Sequence, residues 1–180
     1  MSAAARPPAG SRARVVTVSD RAYRGVYPDR SGPLLASGLA ALGFAVDPPR
    51  VVPDERERIE GALREAVAAG VELVVTTGGT GLGPRDVTPE ATDAVLERPI
   101  PGLAEALRCA GRDAVPTAVL SRGLAGTAAG TLVVNLPGST GGVRDGLGVL
   151  AGVLAHAVAQ LRGADDHGSV PGHGPAGTGG

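Results

Sequence analysis

Residues 71–92 read VELVVTTGGTGLGPRDVTPEAT. The segment passes from a strand-forming run, Val71 to Thr76, through a loop with glycines at 78, 79, 81 and 83. It ends at Thr88-Pro89-Glu90, where a threonine in the cap position, a proline and an acid mark the start of a helix. Strand, glycine loop and helix in immediate succession form the repeating unit of a parallel sheet. The succession recurs on either side. Ala13 to Val18 ends at Ser19-Asp20, and after a polar loop Ser31-Gly32-Pro33 opens a stretch with Leu34, Leu35, Leu39 and Leu42 at helical spacing. Thr131 to Leu136 breaks at Pro137-Gly138-Ser139, before a long helix carrying Val143, Leu147, Leu150, Leu154, Val158 and Leu161.

Between these units, Phe44 to Val52 reads as extended. Pro53-Asp54 then leads into a helix with Ile59, Leu63, Ala66 and Val67 on one face and a Glu60–Arg64 pair exposed on the other. A further helix is expected from Gly102 to Gly111. Strands alternating with amphipathic helices predict an α/β fold with a mostly parallel sheet covered on both faces. One domain is expected over residues 13–162, between an Ala/Pro/Arg-rich disordered arm, 1–12, and a disordered Gly/Pro/His tail, 163–180. His167 and His173 in that tail lack the rigid frame a metal site needs, and His156 lies off the apolar stripe of the last helix.

Composition narrows the chemistry. With 180 residues, 43% hydrophobic, and a formal net charge of -1, the chain can bury one good core and offers no broad basic face for nucleic acid or an anionic membrane. No apolar run of membrane-spanning length is expected, and the N-terminus breaks with Pro and Gly before a secretory segment could form, so a cytoplasmic protein is expected. The single cysteine, Cys109, excludes an internal disulfide and reads as a buried small hydrophobe. All 17 basic residues are arginine, which removes both the P-loop lysine and Schiff-base catalysis and leaves guanidinium forks as the permanent cations. Ring stacking has only Tyr23, Tyr27 and Phe44 to draw on.

Three polar segments follow strands: Ser19-Asp20, Thr77-Gly78-Gly79-Thr80-Gly81 and Pro137-Gly138-Ser139. In a parallel sheet they meet at the carboxyl edge, where ligands collect. The middle one can cradle a phosphate with its backbone N–H groups or serve as an ordinary turn; it matches neither a Walker A loop nor a dinucleotide fingerprint. Asp86 reads either as a charge favouring a helix N-terminus or as a magnesium ligand, and Asp54 either as a helix cap or as a functional carboxylate. Ser139 can cap the last helix and bind an anion together. Asp20 and Arg21 read as solvated charge. No nucleophile–histidine arrangement is present that would run hydrolysis.

Taken in order, SDRAYRGVYPDRSGP (Ser19 to Pro33), VPDE (Val52 to Glu55), TTGGTG with RDVTPEAT (Thr76 to Thr92), PGLAEALR (Pro101 to Arg108), AVLSR (Ala118 to Arg122) and NLPGS (Asn135 to Ser139) resemble the molybdopterin adenylyltransferases. These are the bacterial Mog/MoaB-type molybdenum cofactor biosynthesis proteins and the G domain of gephyrin. The resemblance runs from Arg14 to Leu161 and implies a three-layer αβα sandwich and a homotrimer. It further implies that molybdopterin is adenylated by ATP with magnesium, pyrophosphate leaving. It places Asp54 and Asp86 as catalytic and metal-binding residues. Ser19, Asp20, Thr77, Gly78, Gly79, Thr80, Gly81, Pro137, Gly138 and Ser139 would then hold phosphates and pterin, with Arg85 and Arg122 or Arg144 as cations, and other proteins of the pathway would be its partners. The chain departs from the family at Thr140-Gly141-Gly142, where a proline and an alkyl-rich helix start are usual. A non-catalytic molybdopterin-binding protein of the same fold and a nucleotide diphosphate hydrolase remain the competing readings.

Overall fold

The computed structural model describes residues 5–112 and 115–163. In chain order its elements are β1 (Arg12–Val18), α1 (Asp20–Tyr23), α2 (Ser31–Ala41), β2 (Ala45–Val46), β3 (Arg50–Val52), α3 (Arg56–Ala68), β4 (Leu73–Thr77), α4 (Thr88–Asp93), β5 (Arg98–Pro99), α5 (Pro101–Ala110), a 3₁₀ turn at Pro116–Leu120, β6 (Ala125–Ala128), β7 (Thr131–Leu136) and α6 (Thr140–Leu161). β1, β4 and β7 lie side by side and parallel, with β4 in the middle. β2 and β3 extend the sheet along the free edge of β1, while β6 and β5 close the other side antiparallel.

Every residue of β4 and β7 is buried, which is why both strands read as unbroken apolar or β-branched runs. Alternate side chains point to opposite faces and build two cores. Val15, Leu73, Val75, Leu132, Val134 and Leu136 pack with Leu35 and Leu39 of α2 and Leu150, Leu154 and Val158 of α6. Val16, Val18, Val74 and Val133 pack with Ile59, Leu63 and Ala66 of α3 and Ala91 of α4. A mostly parallel sheet between two helix layers is the αβα sandwich expected.

Local details differ from the sequence reading. The extended stretch 44–52 is two short strands interrupted by Pro48-Pro49, which have no N–H for a ladder. α3 begins after Glu55, so Asp54 is not its cap, and Val87 rather than Thr88 precedes α4. Cys109 is exposed: α5 buries only Ala104, and the cysteine lies on its outer side. Residues 5–12 are not a free arm, because Pro7 and Ser11 are buried and Ser11 donates to the Pro8 carbonyl at 2.6 Å. Arg162 donates to the Ala9 carbonyl and ion-pairs with Glu72, fastening this segment to the end of α6. α6 is, among the described residues, the one helix long and apolar enough to cross a membrane by length and composition; one stripe of it lies in the sheet's core. The tail beyond 163, with its two histidines, lies outside the described residues.

Candidate functional site

Thr17 pairs with Thr77 and Thr77 with Leu136, so β1, β4 and β7 end level with one another. The three loops expected to converge therefore do so. A cleft of about 490 Å³ lies over these ends, lined by Ser19, Asp54, Gly78, Gly79, Asp86 and Gly138 among others. A second, mostly apolar cleft of about 250 Å³ adjoins it beside Thr80, Gly81, Pro137 and Ser139 and reaches to Arg108, Ser121 and Asp145.

The glycine loop leaves β4 with Gly78 at φ 103° and Gly79 at φ 65°, conformations that admit glycine and few other residues. Its neighbours hold it closely. Gly78 donates its N–H to the Leu136 carbonyl at 3.0 Å, and the Thr77 hydroxyl donates to the Pro137 carbonyl at 2.8 Å. From the other side the Thr88 hydroxyl and N–H donate to the carbonyls of Gly78 and Gly79 at 2.9 and 3.1 Å. Thr88 is thus a buried strut under the loop and not the helix cap. The Thr77 hydroxyl ties the middle loop to the third, and Thr77 itself lines the cleft over the strand ends. Beyond these ties, the N–H groups of Gly79, Thr80, Gly81 and Leu82 have no hydrogen-bond partner among the described residues. Consecutive unpartnered amides on a glycine backbone are what binds phosphate oxygens.

The carboxylates are arranged around that row. Asp20 donates its N–H to Asp54 Oδ2 at 2.7 Å, and Asp54 returns its own N–H to Asp20 Oδ1 at 3.1 Å. Arg85 clamps Asp20 with a two-pronged fork, Nη2 to Oδ2 at 2.7 Å and Nε to Oδ2 at 3.0 Å. Asp20 is therefore not a free solvated charge. Its carboxyl is held below the ordinary value, chiefly by the hydrogen bond from Arg85. Asp54 moves the other way: burial pushes it up, the Asp20 N–H opposes this, and the negative charges of Asp20 and Asp86 push it further. Asp86 accepts the Gly83 N–H at 2.8 Å, so its carboxylate folds back over its own loop, near Gly81.

Two carboxylates facing one cleft beside free amides suit magnesium, which takes one or two protein oxygens and completes its shell with water and phosphate. Asp54 and Asp86 fit that description, and a divalent cation would offset both the burial that chiefly raises Asp54 and the smaller repulsion from Asp20 and Asp86. No group of three His, Cys, Asp or Glu side chains that could hold a metal occurs among the described residues, so a cation here would complete its shell with water or substrate oxygens.

The arginines behave otherwise than the sequence predicted. Arg144 is exposed and lines neither cleft. Arg122 is bound to the loop and to Glu90. Arg30 lines the main cleft and was missed, as was Asp29, which accepts from the Thr17 hydroxyl at 2.7 Å and the Gly32 N–H at 2.9 Å. Asp three residues ahead of a helical N–H before Ser31-Gly32-Pro33 is a local signal that would have found it. Of the aromatic residues only Tyr27 reaches the cleft, with the Arg21 guanidinium 4.6 Å from its ring centre; Phe44 is in the core. Ser19 caps α1 by accepting the Ala22 N–H, and Ser139 caps α6 by accepting the Gly142 N–H at 3.0 Å.

The family described as probable molybdopterin binding domain matches residues 14–156, which takes in all three loops. This chain belongs to that molybdopterin-binding family. A molybdenum cofactor biosynthesis bifunctional protein of Synechococcus elongatus is 44% identical over 164 residues, 91% of this chain and 51% of its own length. The chain thus spans about half of that relative. A molybdopterin adenylyltransferase of Haemophilus influenzae is 44% identical over 138 residues, covering 74% of this chain and 69% of its own. Among solved structures, the molybdopterin biosynthesis Mog protein from Mycobacterium ulcerans is 52% identical with a TM-score of 0.80, covering 84% of this chain and 99% of its own. The loops that define the cleft in this member of the molybdopterin-binding family all lie inside the matched span.

Proposed function

We propose that this chain adenylates molybdopterin. A terminal phosphate oxygen of the pterin attacks the α-phosphorus of ATP, the bond from that phosphorus to the bridging oxygen breaks, and pyrophosphate leaves. The row of unpartnered amides from Gly79 to Leu82, placed where two adjoining clefts meet, carries this reading. Thr80 and Gly81 border both clefts, so two anionic substrates entering from opposite sides would meet on one cradle. Such transfer asks for alignment and charge neutralisation more than for a strong base, and the site offers amides and carboxylates in place of a histidine.

In this reading Asp54 and Asp86 hold magnesium, which when bound neutralises charge on the phosphate oxygens. Ser19, Gly78 to Gly81 and Gly138 shape the anion site, Asp20 orients Asp54, and Arg85 braces the pair. A cytoplasmic homotrimer working with other proteins of the molybdenum cofactor pathway belongs to the same proposal. The exposed Gly148, Gly152 and Val153 on the outer side of α6 provide a surface on which copies could pack.

The test is to incubate purified protein with molybdopterin, ATP and magnesium, then to measure adenylated molybdopterin by mass and pyrophosphate by coupled assay. Both products are expected in equal amounts. Pterin bound without either product makes the chain a non-catalytic carrier, and nucleotide cleaved without a pterin adduct makes it a hydrolase; each result refutes the proposal.

A further inference from the structure

We infer that Arg122 is a positioning residue that aims the amides of the glycine loop, and that it does not itself bind phosphate. The inference rests on the phosphate-binding reading of that loop. It starts from four contacts made by one residue. The Arg122 N–H donates to the Thr80 carbonyl at 2.8 Å, Nε donates to the Gly81 carbonyl at 2.8 Å, and Nη2 donates to the Asp86 carbonyl at 2.5 Å. Nη1 pairs with the Glu90 carboxylate in the first turn of α4.

A peptide unit is planar and trans, so its C=O and N–H point in opposite directions. With the carbonyls of Thr80 and Gly81 drawn to Arg122, the N–H groups of Gly81 and Leu82 must point away from it. Arg122 lines neither cleft, whereas Gly81 lines both. The Gly81 donor is thereby left on the cleft side of the loop, with the Leu82 donor next along the chain. Glycine-rich backbone has no conformational preference strong enough to keep that orientation unaided. A planar fork with donors fixed in direction can keep it, and a lysine ammonium cannot.

Glu90 completes the device. It holds the Arg122 guanidinium in its charged form, and is itself held below the ordinary carboxylate value, in each case chiefly through the hydrogen bond between them. The pair is close to neutral as seen from the cleft. A cation meant for phosphate would be left unpaired until the ligand arrived; all three nitrogens of this guanidinium already donate, to the Gly81 and Asp86 carbonyls and to Glu90.

The test compares wild type, Arg122→Gln, Arg122→Lys and Glu90→Gln in three measurements: affinity for magnesium ATP by calorimetry, amide hydrogen exchange, and melting temperature. Both Arg122 variants lose the side-chain hold on the Gly81 carbonyl and keep the backbone tie to the Thr80 carbonyl, so the Leu82 amide loses its aim and ATP binding is expected to weaken up to about tenfold. Exchange should quicken in peptides covering 78–86 and stay unchanged in those covering β4 and β7. Glu90→Gln, which loosens the brace and frees the guanidinium, decides between the two roles by sign. Weaker ATP binding supports positioning, and tighter binding shows that Arg122 meets the phosphate directly and overturns the inference. Wild-type exchange in the loop of Arg122→Gln, or quicker exchange throughout the protein, also overturns it. Should wild type bind no ATP, the adenylation reading fails on its own, and exchange in the unliganded proteins still decides whether Arg122 orders the loop.

Discussion

Replacing Gly78 by alanine tests whether the close seating of the three loops is a requirement of the fold. Two costs add at this position. Gly78 sits at φ 103°, beyond the left-handed region, where a β-carbon costs at least about 1–2 kcal/mol. The new β-carbon would also stand 2.3 Å from the Val18 carbonyl oxygen, a backbone atom at the end of β1. Relief requires β1 and the loop after β4 to move apart by about 1 Å, an overpacking of the kind that costs roughly 1–3 kcal/mol. The total of about 2–5 kcal/mol corresponds, for a chain of this size, to a fall in melting temperature of roughly 10 °C. Gly25→Ala separates the two costs, because Gly25 has φ 70° with nothing within 4 Å of an added β-carbon. It should lose only the conformational part, roughly 3 °C. Thermal melts of the three proteins at one pH and concentration decide the matter. If Gly78→Ala melts no lower than Gly25→Ala, the contact with Val18 is not a constraint, and the account of how β1 and the glycine loop are held together is wrong.

Other expected outcomes are simpler. Asp86→Asn retains an oxygen able to accept the Gly83 N–H, so its melting temperature should stay within about 2 °C of wild type and pterin binding should persist while adenylated product disappears; product at the wild-type rate removes Asp86 from the mechanism. Asp54 has a raised carboxyl in the folded protein, so its stabilising share is present below the ordinary carboxylate value and lost as pH rises through the folded one. Asp54→Asn should therefore match wild type in melting temperature under acid conditions and exceed it at pH 7, and a lower value at pH 7 contradicts the assignment. Gly61 lies inside α3 with open space around its β-position, so Gly61→Ala should stabilise by about 0.5–1 kcal/mol, read from urea midpoints, with activity unchanged.

The sheet was legible because its three central strands are largely buried on both faces and each ends in a polar segment, Ser19-Asp20 after β1 and glycine- or proline-containing loops after β4 and β7. Their parallel order then brought Ser19, Gly78 to Gly81 and Gly138 together without further information. Legibility ended where a side chain chose a distant partner over a near one. Asp54 has the spacing of a cap, yet its carboxylate accepts the N–H of Asp20, 34 residues away. Thr88 likewise turns from the helix to the Gly78 carbonyl. Arg122 could be read as a cation for phosphate because its charge is visible in the sequence and its four internal partners are not. Cys109 sits among leucines and alanines, but that composition does not reveal how little of α5 meets the core.

Asn135 shows how the site's dimensions are set. Buried in β7 opposite Thr76 of β4, it donates to the Thr76 and Thr92 hydroxyls at 3.0 and 2.9 Å and accepts the Leu124 N–H at 3.0 Å. Sliding β7 by one residue would shift the Pro137–Ser139 loop by about 3.3 Å against the glycine loop and turn this amide toward the opposite, apolar layer. The separation between the two halves of the cradle is therefore digital: it is counted in whole residues and checked by a polar side chain that fits at one setting. Within such a frame, substrate reach can be altered by lengthening or exchanging loops, while the spacing of the strand ends beneath them stays where Asn135 holds it.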